Sequence, residues 1–145
     1  MTPTGGIVMG TRPGDLDPGV CLFLLRQGHC TPDQLEQLLE KQSGLLGISD
    51  LSADVRKLDQ ARDNPWAQLA LEQFAHSVAR QIAGMAVSLG GADALVFTGG
   101  IGEHHAATRE RVVALLQPLL PHLPVQVIPA KEEWIMARHA LQLVA

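Results

Sequence analysis

Val96-Phe97-Thr98-Gly99-Gly100-Ile101-Gly102-Glu103 is the stretch on which the reading of this chain turns. Ala94 to Phe97 form an apolar run that predicts a buried strand, and the run breaks at once into three glycines within four residues. A polar, helix-compatible segment follows from His104 to Leu116. A strand, a glycine turn and a helix start in that order gather free backbone N–H groups and the positive end of a helix dipole at one point. Such a point suits a phosphate or a nucleotide. Glycine also lets the backbone approach a ligand that a Cβ would hold away. A purely structural strand-to-helix turn asks for the same residue type, so both readings stand at this level.

Working outward, 145 residues with 46% hydrophobic composition are enough for one domain with a core. Aromatics make up 3% and tyrosine is absent, so that core must be built from Leu, Val, Ile and Ala. A net charge of −4 gives no general attraction to nucleic acid or to anionic membranes. No apolar run approaches the roughly 20 residues that span a bilayer, and the N-terminus has no basic-then-apolar signal pattern. Cys21 and Cys30 form no C-x-x-C pair and read as reduced thiols. The expectation is a soluble, cytoplasmic protein that binds neither nucleic acid nor membrane.

Met1-Thr2-Pro3-Thr4-Gly5-Gly6 leads directly into Ile7-Val8-Met9, a short strand candidate with no preceding element to pair with. The turn formers Gly10 to Asp15 close it. Asp17-Pro18 predicts a capped helix through Arg26 that stops at Gly28. Thr31-Pro32-Asp33-Gln34 has the form of a capping box opening a second helix, with Leu35, Leu38 and Leu39 as its apolar face. Ser43 to Asp50 reads as a glycine-bearing connection. Asn64-Pro65 starts the longest helix, whose stripe of Leu71, Ala75, Val78, Ile82, Met85 and Leu89 ends at Gly90-Gly91. Strand 94–98, a helix from about His104, strand 125–128 and a helix from about Lys131 complete an α/β pattern.

Three further clusters have chemistry to offer. Arg12 lies between Gly10 and Gly14, where a guanidinium can present a fork of donors to a phosphate or simply decorate a tight turn. Ser52-Ala53-Asp54-Val55-Arg56 reads equally as a solvated cap or as the polar wall of a pocket. Lys131-Glu132-Glu133 opens the last helix, where acidic residues serve the helix dipole or reach a magnesium ion. His104 and His105 beside Glu103 find no third ligand at zinc spacing. No Ser/His/Asp or Cys/His arrangement emerges from this order of residues.

Taken together, the motifs resemble the C-terminal part of acetate kinase and its relatives among the short-chain acyl kinases. Met9-Gly10-Thr11-Arg12-Pro13-Gly14-Asp15-Leu16-Asp17-Pro18 is similar to that family's M-G-T-R-S-G-D-x-D-P segment. Ser43-Gly44-Leu45-Leu46-Gly47-Ile48-Ser49 and Ser52-Ala53-Asp54-Val55-Arg56 resemble its S-G-L-L-G-x-S and S-x-D-x-R stretches. Phe97 to Glu103 resembles F-T-x-G-I-G-E-N, and Ile128 to Glu133 stands where the family has I-x-T-N-E-E. The four come in the family's order with family-like spacing.

The resemblance implies an α/β fold: the C-terminal lobe of the acetate and sugar kinase, heat-shock ATPase and actin group. Residues 1–145 would form that single nucleotide-binding lobe. It implies ATP and Mg²⁺ as cofactors and transfer of a phosphoryl group to acetate or another short-chain carboxylate, giving ADP and an acyl phosphate. Transfer is in line, so catalysis is mostly positioning and charge stabilisation. By motif position, Arg12 matches the arginine that stabilises the transition state. Asp54, Val55 and Arg56 match a nucleotide-contacting segment. Gly100, Ile101, Gly102, Glu103 and His104 match the adenosine and phosphate turn. Glu132 matches the magnesium-associated carboxylate, with Glu133 one residue away as the alternative.

Departures from the pattern are His104 and Lys131, each in place of an asparagine, and Pro13 in place of a serine. The lysine sets a positive charge beside the proposed metal carboxylate. The resemblance begins well into the family's sequence, as a truncated gene, a downstream start codon or a fragment would. The expectation is less than half of such an enzyme, without its N-terminal lobe and acyl pocket, and inactive by itself. A nucleotide-binding and assembly module is the alternative, either a homodimer or one half of a split kinase pairing with an N-terminal half.

Overall fold

The computed structural model describes residues 4–144. The first three residues of the proposed lead-in, Met1 to Pro3, lie outside them. Eight helices and two strands run in the order α1 (Pro18–Arg26), α2 (Pro32–Lys41), α3 (Gly44–Ser49), α4 (Val55–Gln60), α5 (Pro65–Leu89), β1 (Leu95–Phe97), α6 (Gly99–His104), α7 (Ala106–Leu116), β2 (Val125–Val127) and α8 (Glu132–Val144) among the described residues.

Helix α5 is the spine. Asn64 Oδ1 accepts the N–H groups of Trp66 and Ala67 at 2.9 and 3.2 Å, and Pro65 sets the first turn. At the far end Gly90 takes a left-handed φ of 75°, and the Gly91 N–H returns to the Ala86 carbonyl. The N-terminal half of α5 packs Ala67, Ala70, Leu71 and Phe74 against Leu45 of α3 and Val55 and Leu58 of α4. Its middle packs Ala75 and Ala79 against Phe97 of β1 and Val112 and Leu116 of α7. The core is therefore mostly aliphatic and small, with Phe74 and Phe97 as its two aromatic side chains. The predicted stripe on α5 is buried only over its first part: Met85 and Leu89 face solvent.

Strands β1 and β2 pair in parallel, Leu95 opposite Val125 and Phe97 opposite Val127. With α6 and α7 between them they form a strand–helix–strand crossover of the α/β kind.

Two expectations fail locally. Ile7 to Met9 is not a strand, because no strand lies beside it among the described residues. Its polar groups are taken instead by the Arg12 carbonyl, the Ser77 hydroxyl and the Leu45 N–H. Ser43 to Asp50 is not a connection but holds α3, whose start is fixed by Gly44 at φ 64°. A Cβ on Gly44 would stand 2.7 Å from the Arg12 carbonyl oxygen, so only glycine lets the Arg12 loop lie against α3. The helix expected from about His104 is α7, which starts at Ala106, and the glycine turn before it is itself a short helix, α6, ended by the non-helical His105.

Candidate functional site

The 52–56 segment is shaped by its own side chains. The Ser52 hydroxyl accepts the Asp54 N–H at 3.1 Å, and Asp54 caps α4 by accepting the Arg56 N–H at 2.9 Å. The Arg56 guanidinium folds back on the same carboxylate, Nε to Oδ1 at 3.2 Å and Nη2 to Oδ2 at 2.8 Å. The hydrogen bonds from the Arg56 side chain and backbone hold the Asp54 carboxyl down at about 2, and the Arg56 pKa is raised in return. Both charges persist through the whole physiological range. The guanidinium is fixed in orientation yet exposed.

The glycine turn is locked at both ends. At its start, Glu103 Oε1 accepts the Gly99 N–H at 2.8 Å and the Ala130 N–H at 2.9 Å. One carboxylate thus caps α6 and ties the loop after β2 to it. At its end, Arg109 Nη1 donates to the carbonyls of Gly102 and Glu103, both at 2.9 Å, satisfying acceptors that a helix C-terminus leaves open. Gly99 needs its φ of 73° to turn out of β1. Gly100 is different: a Cβ there would meet nothing within 4 Å, so its lack of a side chain serves no packing purpose in the fold.

These two pieces face each other. Asp54, Val55 and Arg56 on one side and Gly100, Ile101, His104 and His105 on the other enclose a cavity of about 290 Å³. Residues separated by more than forty positions, and singled out separately in the sequence, thus form one site. Gly102 and Glu103 do not line it. Gly102 backs onto Phe97, and Glu103 braces α6 from behind. A larger cleft of about 770 Å³ opens elsewhere, between the loop of Gly6 to Asp15, α5 and α7, where Asp15 meets Arg80 and Gln81.

Arg12 is half-buried, with no hydrogen bond or ion pair from its guanidinium among the described residues. Its backbone is held firmly: the Arg12 carbonyl accepts the Met9 N–H at 3.0 Å, and the Thr11 carbonyl accepts the Ser43 N–H at 3.0 Å. The same loop presses on the 52–56 segment, a Cβ on Gly10 standing 3.2 Å from the Ala53 carbonyl oxygen. The loop bearing Arg12 therefore abuts the segment that forms one wall of the cavity.

Glu132 and Glu133 are exposed in the first turn of α8, just after Lys131 at φ 49°. The Ala130–Glu103 bond anchors this corner to α6. No group of three or more metal-ligating side chains occurs among the described residues. Magnesium takes one or two carboxylates, with waters and phosphate oxygens completing its shell. A solvent-facing Glu132 on an anchored corner fits that donor set as a single protein ligand.

His105 and Arg109 are the residues that sequence reasoning missed. The signals were weak ones: a histidine at the junction before Ala106, where a cap belongs, and an arginine seven residues beyond Gly102.

The chain belongs to the acetokinase family, whose model matches residues 1–120. It is 50% identical over 118 residues to acetate kinase 1 of Neisseria meningitidis, covering 80% of this chain and 30% of that protein. It is 45% identical over 150 residues to the propionate kinase of Citrobacter rodentium, covering 99% of this chain and 36% of that one. The fold superposes on the crystal structure of Porphyromonas gingivalis acetate kinase with a TM-score of 0.89 at 32% identity, over 99% of this chain and 42% of that one. The chain therefore spans less than half the length of the relatives it matches. No helix among the described residues is long and apolar enough to cross a membrane.

Proposed function

We propose that this chain is the nucleotide-binding lobe of an ATP-dependent carboxylate kinase, transferring phosphoryl from ATP to acetate or a similar short-chain carboxylate. The observation that carries this reading is the cavity in which Asp54 to Arg56 meets Gly100, Ile101 and His104. Its walls are pre-set by capping hydrogen bonds, so a ligand entering it orders little new structure. The adenosine end of ATP or ADP lies there, Arg12 serves the transferring phosphoryl group, and Glu132 is the carboxylate that holds Mg²⁺. A planar guanidinium with no partner among the described residues suits charge that develops only during transfer. When bound, the magnesium ion neutralises phosphate charge. The acceptor pocket is assigned to the remaining part of the enzyme, so the chain alone binds nucleotide without turnover. A cytoplasmic setting, where ATP is held, goes with this work.

Partners belong to the same proposal. Helix α1 contains no buried residue, and all three residues of β2 are exposed, which favours association with the rest of such an enzyme or with a second copy.

Gly100→Ala tests the nucleotide site. The new methyl meets no protein atom within 4 Å, so the fold stays intact while the cavity loses space. Calorimetric titration should show ADP binding by the wild-type chain and at least ~10-fold weaker binding by the variant, a loss of about 1.4 kcal/mol. Equal affinity would remove the nucleotide from this cavity. The transfer role is tested in an enzyme reassembled with the remaining part of a relative. There Arg12→Ala should lower kcat at least ~10²-fold, the scale of one lost charge stabiliser, with ADP affinity changed only a few-fold. A near-wild-type rate would return Arg12 to a structural turn.

A further inference from the structure

We infer that His105 is a positioning residue that sets the width of the cavity and closes it on a bound nucleotide, an inference that rests on the nucleotide reading above. The two walls are each rigid, one by the Asp54–Arg56 fork and the other by Glu103 and Arg109 at the two ends of α6. What holds them to each other is a separate question. Among the described residues, the contact between His105 Nε2 and Asp59 Oδ2 is the one polar link between α4 and the α6–α7 pair.

The imidazole is built for that link. It is the N-cap of α7: the Thr108 N–H donates to Nδ1 at 3.3 Å, and the Thr108 hydroxyl lies 2.8 Å from the same nitrogen. Thr108 is itself buried. In the tautomer in which Nδ1 accepts the Thr108 N–H, the neutral ring carries its proton on Nε2, the nitrogen that faces Asp59. Asp59 is steadied by Arg62, whose Nη2 donates at 3.3 Å to the same Oδ2 that faces His105 and whose Nε donates to the Asp59 carbonyl at 3.2 Å. The His105 side chain is only 11% exposed and still lines the cavity.

The Nε2–Oδ2 separation is 3.9 Å, longer than a hydrogen bond. A movement of roughly 1 Å between the walls turns it into one. That geometry gives a closed state, with the hydrogen bond made and the nucleotide held, and an open state in which Asp59 and His105 are parted. The closed state then adds a hydrogen bond to an acidic partner without touching the ligand.

Capping and bridging can be separated by two substitutions. His105→Asn keeps an N-cap oxygen but is too short to reach Asp59. His105→Gln gives up the cap but places an amide N–H at the reach of Nε2. Thermal unfolding and ADP titration of the 145-residue chain read the two properties apart. Bridging requires that the Asn variant melt like wild type and bind ADP at least ~5-fold more weakly, while the Gln variant melts lower and binds ADP within ~2-fold of wild type. Wild-type ADP affinity in the Asn variant overturns the inference. So does loss of affinity that follows loss of stability in both variants, which would make His105 a cap and nothing more. A wild-type chain that takes up no ADP overturns the nucleotide reading itself, and is told apart from the first result by the wild-type titration alone.

Discussion

Helix α5 and helix α1 are both rich in apolar residues, and they end in opposite environments. On α5, Ala67, Ala70 and Leu71 are sealed against α3 and α4, and Ala75 and Ala79 against β1 and α7. On α1, Val20, Leu22 and Phe23 are all exposed, Phe23 at 56%, and the helix touches little but α2. Helix α8 resembles α1 in this, with Trp134, Met136, Leu141 and Leu143 in solvent. Apolarity in a sequence states that a surface would gain from being covered, at about 25 cal/mol per Å². It does not state what covers it. Along the first part of α5 the cover comes from this chain's own elements; on α1 and α8 the residues just named stay exposed among the described residues.

The strongest way to break that contrast is to remove a side chain from each region. Leu58→Ala deletes a side chain with no exposure, wedged between α4 and α5, and should cost about 2–5 kcal/mol in denaturant unfolding. A loss below about 1 kcal/mol would show that this half is loosely packed after all.

Acid titration probes the site at a smaller scale. The Asp54 carboxyl is held at about 2 against an ordinary 3.8, so its contribution is fully present above pH 3.8. That contribution fades as the pH falls from 3.8 to about 2. Thermal melts over that window should show an acid-dependent loss that Asp54→Asn lacks. Because the pair is exposed, the effect is modest. Identical acid profiles in the two proteins would detach Asp54 from the cap.

Phe23→Ser should have the smallest effect, under about 0.5 kcal/mol on the isolated chain, as for surface positions in general. The same substitution becomes informative in any assembly: if α1 is covered there, association measured by light scattering weakens while the isolated chain's melting point does not move. A large loss of stability in the isolated chain would place α1 in the core and end the comparison.

Much of the candidate site's local shape was legible in the sequence. Asp17, Thr31 and Asn64 cap their helices as their residue types demand, because a capping oxygen acts on N–H groups two or three residues away. The glycine turn, the 54–56 segment and the order of motifs were likewise local patterns, sufficient to indicate the family. The brace formed by Glu103 was not legible. A carboxylate four residues after Gly99 looks like a ligand-facing residue until the Ala130 N–H is seen beside it.

The sequence by itself determined where α1, α2 and α5 begin, which residues carry charge near glycine, and which family the chain resembles. All of these rest on interactions within a few residues or on short motifs. Only the tertiary structure decided that Ile7 to Met9 pairs with no strand and that residues 43–50 hold a helix. It alone turned Gly102 and Glu103 away from the cavity and set His105 in its wall, 3.9 Å from Asp59. Each of these depends on a partner distant in sequence: Ser77 for Val8, Arg12 for Gly44, Ala130 for Glu103 and Asp59 for His105. Local pattern limits what a segment can form, and packing against distant segments selects among those forms.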